Sequence, residues 1–312
     1  MSGIQETFEA LGHFLYREWL LVLKEYRTNE ELIEYLSSKG VIITNKKEAL
    51  QKVERYTYYS IVNTYKSVFK DTKGNYIAKV TFDEIYTLFE FDKRLKNIML
   101  KYCLEIETVI KSIMANQISK VYGIKEYLNI SNWDSSINND IKESLLNKIN
   151  AEIEKNYNTH IAITHYIDKY NFVPPFVLVK ILTFGVVSSY YGLLKQSDRQ
   201  AIAKYFKISD KLLKQILKNL TTVRNIAAHS DRLYDYTSKF YLSFKLIDKE
   251  YTKSDNITNL YMIIRCMEKL LTNNQYNNLY NSIIKEIENI NKNLNSISIE
   301  KIMNIMGFPM NK

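Results

Sequence analysis

The sequence is poor in the residues that interrupt helices, since its 312 residues include only 3 prolines and 8 glycines. So few interruptions predict long helices and argue against a fold of many short strands and tight turns. Only 2 cysteines are present, Cys103 and Cys266, and each lies alone within a helical pattern. This excludes a disulfide framework and a cysteine-based zinc site, and it suits a reducing compartment.

Long apolar runs are also missing. The most membrane-like segment, residues 176–194, contains Lys180 and two serines, so it predicts a buried helix and not a membrane span. Near the N-terminus the longest apolar run covers only residues 19–23, which is too short for a secretion signal. We therefore expect a cytoplasmic protein with no membrane partner.

Common cofactor and metal motifs are absent as well. The sequence has no Gly-rich phosphate loop, no His-Glu-x-x-His helix and no serine nucleophile elbow. We expect no metal and no cofactor. What the chain does have is a net charge of +9 together with 46% hydrophobic residues. This balance predicts a packed core and a polyanionic partner such as RNA, although a lysine-rich surface without a nucleic-acid role is the alternative.

The apolar periodicity predicts an all-α fold, with a small β-hairpin near residues 68–80 as an open possibility. Three regions are expected: N-terminal helices over 1–78, a helical core over 79–245 and C-terminal helices over 246–312. Helices are predicted over residues 4–26, 30–38, 47–69, 82–121, 140–156, 176–192, 257–272 and 275–292. Two more are expected to begin at the caps Ser197-Asp198 and Ser209-Asp210.

Residues 224–229 read Arg-Asn-Ile-Ala-Ala-His and contain the only histidine of the last third of the chain. An imidazole can move a proton near neutral pH, and a guanidinium can hold a pentavalent phosphate. Arg224 and His229 are thus sufficient for cutting RNA without a metal. The spacing alone is weak evidence, since 8 arginines and 4 histidines in this length give about 0.1 chance matches.

The helix predicted from Ser209 onward has a basic front and an apolar back. On a helical wheel one line carries Lys211, Lys214, Lys218, Thr221, Asn225, His229 and Arg232. Residues 195–232 hold nine Lys and Arg against three Asp and Glu, most of the charge excess of the chain. Lysines at one-turn intervals are typical of a phosphate track, and equally of a solvated helix face.

Arg224 lies about 100° away from this line, since it precedes Asn225 by one residue. Its long side chain can curl toward His229 or reach a phosphate beside it. The alternative is an ion pair with Asp231.

Three further clusters have a structural interpretation as well as a functional one. Tyr58 and Tyr59, with Tyr56, can stack on unpaired bases, but core packing is the more common role of tyrosines in such a pattern. Glu107 is a candidate catalytic carboxylate, or the partner of Lys111 one turn later. The run from Asp92 to Arg94 is expected to be a surface ion-pair group.

Several segments, in order, resemble the Abi-like abortive-infection proteins of bacteria, the AbiD and AbiF group. The segment from Val223 to Tyr234 resembles the signature of that family, although the family often has a second histidine where this chain has Ser230. The further matching segments are residues 36–43, 81–95, 105–107, 174–185 and 306–309.

The family is similar to HEPN domains, which are helical bundles. The resemblance therefore implies a HEPN-like core in which Arg224, Asn225 and His229 form a metal-independent ribonuclease site. Such sites are often shared between two protomers, so a homodimer is expected. The resemblance also implies phage defence and a partner RNA, which can be a structured non-coding RNA.

Three hypotheses follow. The first is an endoribonuclease that uses Arg224, Asn225 and His229. The second is a non-catalytic protein that holds a specific RNA. In both, the expected RNA contacts are Lys211, Lys214, Lys218, Arg232, Tyr58 and Tyr59. The third is a helical interaction module that has no RNA role.

Overall fold

A computed structural model describes residues 26–229, 231–243, 247 and 258–309. The α-helices of these residues are α1 (Asn29–Ser38), α2 (Lys46–Tyr56), α3 (Phe82–Tyr122), α4 (Asn139–Asn156), α5 (Ile161–Tyr170), α6 (Pro175–Ile181), α7 (Phe184–Leu193), α8 (Gln196–Tyr205), α9 (Asp210–Ala228), α10 (Leu260–Met267), α11 (Asn273–Asn291) and α12 (Ile299–Met306). Short helical turns of other kinds are π-helical Tyr59–Asn63 and 3-10 Lys66–Phe69, Glu126–Leu128 and Ile130–Asn132. The all-α prediction is confirmed, and the helix predicted over 4–26 lies outside the described residues.

The β-structure of the described residues is small. Strands β1 (Thr237–Ser238) and β2 (Thr258–Asn259) form one antiparallel pair. Near residues 68–80, where a hairpin was an open possibility, a single antiparallel bridge joins Lys70 to Tyr76. The turn between them is held by the carboxylate of Asp71, which accepts the amide hydrogens of two residues further along the turn.

The chain divides into two compact units, residues 1–86 and 87–312. In the first unit α1 packs against α2. The helix predicted over 47–69 is wrong as a single helix, because Thr57 adopts a left-handed φ of 64° directly after α2. The chain then continues as the short π-helical and 3-10 turns. A β-branched residue in this conformation is unusual and ends the regular hydrogen-bond ladder.

Helix α3 is the longest element, and it confirms the helix predicted over 82–121. Thr81 caps its start, since the Thr81 hydroxyl accepts the Glu84 amide at 3.1 Å and the Glu84 carboxylate accepts the Thr81 amide at 3.1 Å. Gly123 ends it with a φ of 73°, which is typical of a residue after a helix C-terminus.

The helix predicted over 176–192 is two helices, α6 and α7. Leu182 and Thr183 between them are extended, and the Thr183 hydroxyl starts α7 by accepting the Val186 amide. The predicted cap at Ser197-Asp198 is also wrong. Lys195 holds the cap position of α8, and the buried Asp198 accepts hydrogen bonds from side chains of α3. Helix α5 was not predicted.

Helix α9 lies at the centre of the second unit. It packs against α7, α8 and α10. Its buried apolar residues include Leu213, Ile216, Leu220 and Val223, each no more than 1% exposed. Their spacing of three and four residues puts them on one face, so burial of this face fixes how α9 is rotated.

Asp92 of α3 fixes the segment that follows α9. It is fully buried, and its carboxylate accepts the backbone amides of Leu233 at 3.2 Å and Tyr234 at 2.6 Å. Lys96, one turn later, donates to the Asp231 carbonyl at 3.2 Å. The prediction that Asp92 belongs to a surface ion-pair group is therefore wrong. Its neighbours do form ion pairs, since Lys93 and Arg94 both contact Glu90.

We predict that Asp92→Ala lowers the free energy of unfolding by about 2–4 kcal/mol, because it leaves two buried amides without an acceptor. Asp92→Asn keeps one acceptor oxygen and is expected to cost about half as much. Urea unfolding followed by circular dichroism measures both. Glu143→Ala, at an exposed position of α4, is the control and should change stability by less than about 0.5 kcal/mol. Equal stability of Asp92→Ala and Glu143→Ala would contradict the anchoring role.

Candidate functional site

The Arg–His segment lies at the C-terminal end of α9. The helix starts at Ser209, whose hydroxyl accepts the Leu212 amide at 3.2 Å, as its sequence predicts. It ends at Ala228, and His229 follows with an extended backbone, φ −119° and ψ −175°. The side chains of Asn225 and His229 are both exposed. They are therefore accessible to a ligand at the end of the helix.

The basic face of α9 also has the predicted arrangement. Lys211, Lys214 and Lys218 are exposed, and the apolar residues of the opposite face are buried. We call these three lysines the lysine track. The track leads along the helix toward Asn225 and His229, so a polyanion lying on it would reach the motif.

Arg232 departs from the predicted line. It was expected on the same helix face, but α9 ends four residues earlier, so helical spacing does not apply to Arg232. Its Nε lies 2.7 Å from one oxygen of Asp235, and the two groups form an ion pair. An RNA phosphate that binds Arg232 would therefore have to compete with the Asp235 carboxylate.

A groove of about 640 Å³ runs beside the lysine track between α4, α7 and α9. Its lining includes Lys148, Ser188, Lys214 and Lys218. Lys214 lies across Gly192, where an added Cβ would come within 3.2 Å of the lysine side chain. Burial lowers the pKa of Lys214, and the positive charge of Arg199 acts in the same direction. Asp140 also lines the groove, so the groove carries charges of both signs, with cations in excess.

Two side chains of α9 contact the segment that follows β1. The ammonium group of Lys218 lies 4.0 Å from the ring centre of Phe240, which is within the range of a cation–π interaction. The Gln215 side chain accepts the amide of Ser243 at 3.1 Å. A second hollow, of about 570 Å³, lies between Thr222, Ile226 and this segment. The Phe240 ring thus positions the ammonium group of Lys218, although the lysine residue as a whole is exposed.

Arg224 contacts α3. Its Nε lies 3.6 Å from Oε2 of Glu107, so the partner is Glu107 and not the alternative, Asp231. The other oxygen of Glu107 lies 2.7 Å from the Lys111 ammonium group, which confirms the pair expected one turn apart. Glu107 is only 7% exposed, whereas the Arg224 side chain is 31% exposed. One buried carboxylate therefore faces two cations, of which one reaches the surface near the motif.

The contact between Arg224 and Glu107 is an ion pair without a hydrogen bond. Within the described residues, neither the Arg224 Nε nor the Glu107 Oε2 has a hydrogen-bond partner, although both atoms are buried. Buried polar atoms of this kind are rare and cost free energy. The guanidinium is thus attracted to Glu107 but not fixed in a bidentate geometry.

The tyrosines predicted to contact RNA lie in the first unit, and their exposure differs. Tyr59 is 72% exposed, so its ring is available to a base. Tyr58 is 9% exposed, and burial raises its pKa to about 12. The Tyr58 ring has too little exposed surface to stack on an unpaired base, so of the two tyrosines only Tyr59 fits the predicted role.

The described part of the chain offers neither a cluster of metal ligands nor a membrane-spanning helix. No three His, Cys, Asp or Glu side chains there lie close enough together to hold a metal ion. None of the described helices combines the length and the apolarity needed to cross a membrane. Cys103 and Cys266 are buried free thiols, as their isolation in the sequence predicts.

The fold and the site define a class: an all-α protein with an exposed Asn and His, and a half-buried Arg, at the end of a basic helix. The model of the family described as Abi-like protein matches residues 51–235. This match covers more than half of the chain, so the protein belongs to the Abi-like family. Membership supports a role in abortive infection, that is, in defence against phage. Comparisons with curated proteins and with solved structures gave no match.

We predict measurable coupling between Glu107 and Arg224. A double-mutant cycle of Glu107→Gln and Arg224→Gln, followed by urea unfolding, should give a coupling energy of about 1 kcal/mol, because the carboxylate is buried. The same cycle on Glu34 and Lys46 is the control. That pair is closer, at 2.8 Å, but exposed, and should give less than about 0.5 kcal/mol. A coupling energy between Glu107 and Arg224 no larger than that of the control pair would contradict the view that burial strengthens this contact.

Proposed function

We propose that this protein is an abortive-infection ribonuclease of the HEPN type, which cleaves RNA without a metal. One observation carries the proposal: Asn225 and His229 are both exposed where the lysine track ends, and Arg224 lies beside them. A track of cations can hold the phosphates of an RNA strand and deliver one of them to the motif. Membership in the Abi-like family supports the biological context.

The proposed reaction is an internal transfer of the phosphate. His229 takes the proton of a ribose 2′-hydroxyl, and the 2′-oxygen attacks the neighbouring phosphorus. The bond from phosphorus to the 5′-oxygen breaks, and that oxygen takes a proton from an imidazolium. Arg224 stabilises the negative charge of the pentavalent intermediate, and Asn225 orients His229 or a phosphate. The products are a 2′,3′-cyclic phosphate and a 5′-hydroxyl.

Each chain contains one Arg–His motif, which supports a homodimer with a shared site. Two motifs brought together would supply one imidazole as base and a second as acid, as the two proton transfers require. A ribonuclease that is active as a monomer would contradict this part of the proposal.

We predict that His229→Ala lowers the rate of RNA cleavage in excess EDTA by about 10²–10⁴-fold, because it removes the proton-transfer group. The assay uses end-labelled RNA and identifies the cyclic phosphate by its resistance to phosphatase. His165→Ala is the matched control, since His165 is an exposed histidine on α5 and not part of the motif. Cleavage by His229→Ala at the wild-type rate would refute the assignment.

The lysine track also supports a second candidate, a non-catalytic protein that holds a structured RNA. In that case Arg224, Asn225 and His229 would be contacts to the bound RNA. The RNA that copurifies with the protein discriminates between the candidates. One discrete uncut species favours binding, and heterogeneous short ends favour cleavage.

For either candidate we predict that Lys214→Ala/Lys218→Ala weakens RNA binding at low salt. The slope of log affinity against log salt should become shallower by about 1.5–2, because two phosphate contacts are removed. Fluorescence anisotropy over a salt series measures the slope. Lys285→Ala/Lys292→Ala removes two exposed charges at α11 and should leave the slope unchanged. Identical slopes for the two double variants would exclude the track as the RNA surface.

A further inference from the structure

The first unit contains a cavity of about 630 Å³ that has no part in the Arg–His site. It lies between α1, the π-helical and 3-10 turns that follow α2, and the turn near Gly74. Its lining combines cations with tyrosine rings, among them Arg27, Lys39, Lys70, Tyr35, Tyr58 and Tyr76. Cavities of this volume are typical of small-molecule sites.

The charge of the cavity is one-sided. Four cationic side chains line it, and the described residues around it contribute no carboxylate. Nearby acidic groups have other partners: Glu31 accepts the amide of Thr28, and Glu34 pairs with Lys46 outside the cavity. Three of these cations, Arg27, Lys39 and Lys70, have no ion pair with a carboxylate of the described residues, so an anion among them would be stabilised.

Aromatic rings hold several of these cations in place. The Arg27 guanidinium carbon lies 5.0 Å from the ring centre of Tyr35, and the Lys39 nitrogen lies 5.3 Å from the same centre. The Lys70 nitrogen lies 5.0 Å from the ring centre of Tyr76. A cation–π contact positions a cation without neutralising it. These three groups therefore keep their charge for a ligand.

The phenol groups add hydrogen-bond donors. Burial raises the pKa values of Tyr58 and Tyr76, which keeps both hydroxyls protonated at neutral pH. Each hydroxyl can donate to a phosphate or sugar oxygen. The Tyr35 ring has two cations over it, whereas the partly exposed Tyr76 ring contacts Lys70 and can offer its remaining surface to a planar group. Phosphate-binding cations beside aromatic surfaces match the two halves of a nucleotide.

We propose that this cavity binds a ribonucleoside 5′-phosphate, with the phosphate among Arg27, Lys39 and Lys70 and the base against Tyr76. The ligand is either a free nucleotide or one unpaired nucleotide of an RNA. The proposal does not depend on cleavage at His229. It gives Tyr58 a place as a wall of a nucleotide cavity and not as an open stacking surface.

The test is isothermal titration calorimetry of the full chain with AMP, ribose 5-phosphate and inorganic phosphate. AMP should bind at least about tenfold more tightly than the other two, because only AMP fills both halves of the cavity. Arg27→Ala/Lys39→Ala changes two exposed residues and should weaken AMP binding by about tenfold or more. Lys70→Ala is a second variant from another wall and should also weaken it.

Lys47→Ala/Lys73→Ala is the charge-matched control, since both lysines are exposed in the same unit and neither lines the cavity. It should bind AMP as the wild type does, and so should His229→Ala. No AMP binding by the wild type, or equal AMP binding by Arg27→Ala/Lys39→Ala and the control, would overturn the proposal. So would equal affinities for AMP and ribose 5-phosphate.

The source of the nucleotide is identified with a 5′-phosphorylated RNA octamer. It is tested in a background that combines His229→Ala, to prevent cleavage, with Lys214→Ala/Lys218→Ala, to remove the RNA contacts proposed for the lysine track. Tighter binding of the octamer than of AMP, lost on adding Arg27→Ala/Lys39→Ala, would support an RNA nucleotide. Equal affinities for the octamer and AMP, both reduced by that change, would support a free nucleotide. Wild-type AMP affinity in the His229→Ala background separates this cavity from the ribonuclease proposal.

Discussion

The buried carboxylate of Asp92 is the interaction on which the position of His229 depends. Helix α9 ends at Ala228, so nothing in the helical ladder continues past the motif. The next fixed points are the Asp231 carbonyl, which accepts from Lys96, and the amides of Leu233 and Tyr234, which both donate to Asp92. His229 therefore lies on a short segment between a packed helix and a carboxylate of α3, which limits how far its imidazole can move.

Glu107 of α3 acts on the other side of the motif. Arg224 contacts Glu107, whereas Tyr234, which lies later in the sequence, contacts Asp92, which lies earlier in α3 than Glu107. The two segments are thus antiparallel, and one helix holds both the arginine and the segment after the histidine. A single straight support keeps two groups in register more reliably than two separate loops would. This explains why so long a helix, without an interruption, suits the site.

Periodicity predicted the elements that are long and two-sided, and it failed where single residues change the backbone. Helix α9 could be predicted because its lysines recur on one face and apolar residues such as Ile216 and Leu220 on the opposite face over five turns. The breaks at Thr57 and Thr183 are single β-branched residues in otherwise helical patterns, and such residues carry little local signal. Asp92 beside Lys93 and Arg94 looked like a surface group, because burial depends on a partner 141 residues away.

The contacts of Arg224 could not be predicted for the same reason, and they bear on the mechanism. Of the arginines that the structure describes, Arg94, Arg199, Arg232 and Arg265 all form ion pairs with one or more carboxylates. Each of these four arginines has a nitrogen within 3.2 Å of a carboxylate oxygen. The Arg224 Nε, in contrast, lies 3.6 Å from the Glu107 carboxylate and forms no hydrogen bond with it. Its contact with a carboxylate is thus longer than the shortest ion-pair contact of each of these four arginines.

Lys111 determines what it would cost Arg224 to leave Glu107. Removing one partner from a buried ion pair is expensive because a bare charge stays behind. Here the Lys111 ammonium group lies 2.7 Å from Glu107 and remains when Arg224 turns away, so the carboxylate keeps a cation. On the proposed mechanism, an RNA phosphate has to replace only the longer contact of Glu107, the one with Arg224, and the shorter contact with Lys111 remains. On that mechanism, Glu107 would keep Arg224 close to Asn225 and His229 in the free protein, and Lys111 would make it less costly for Arg224 to turn toward a phosphate.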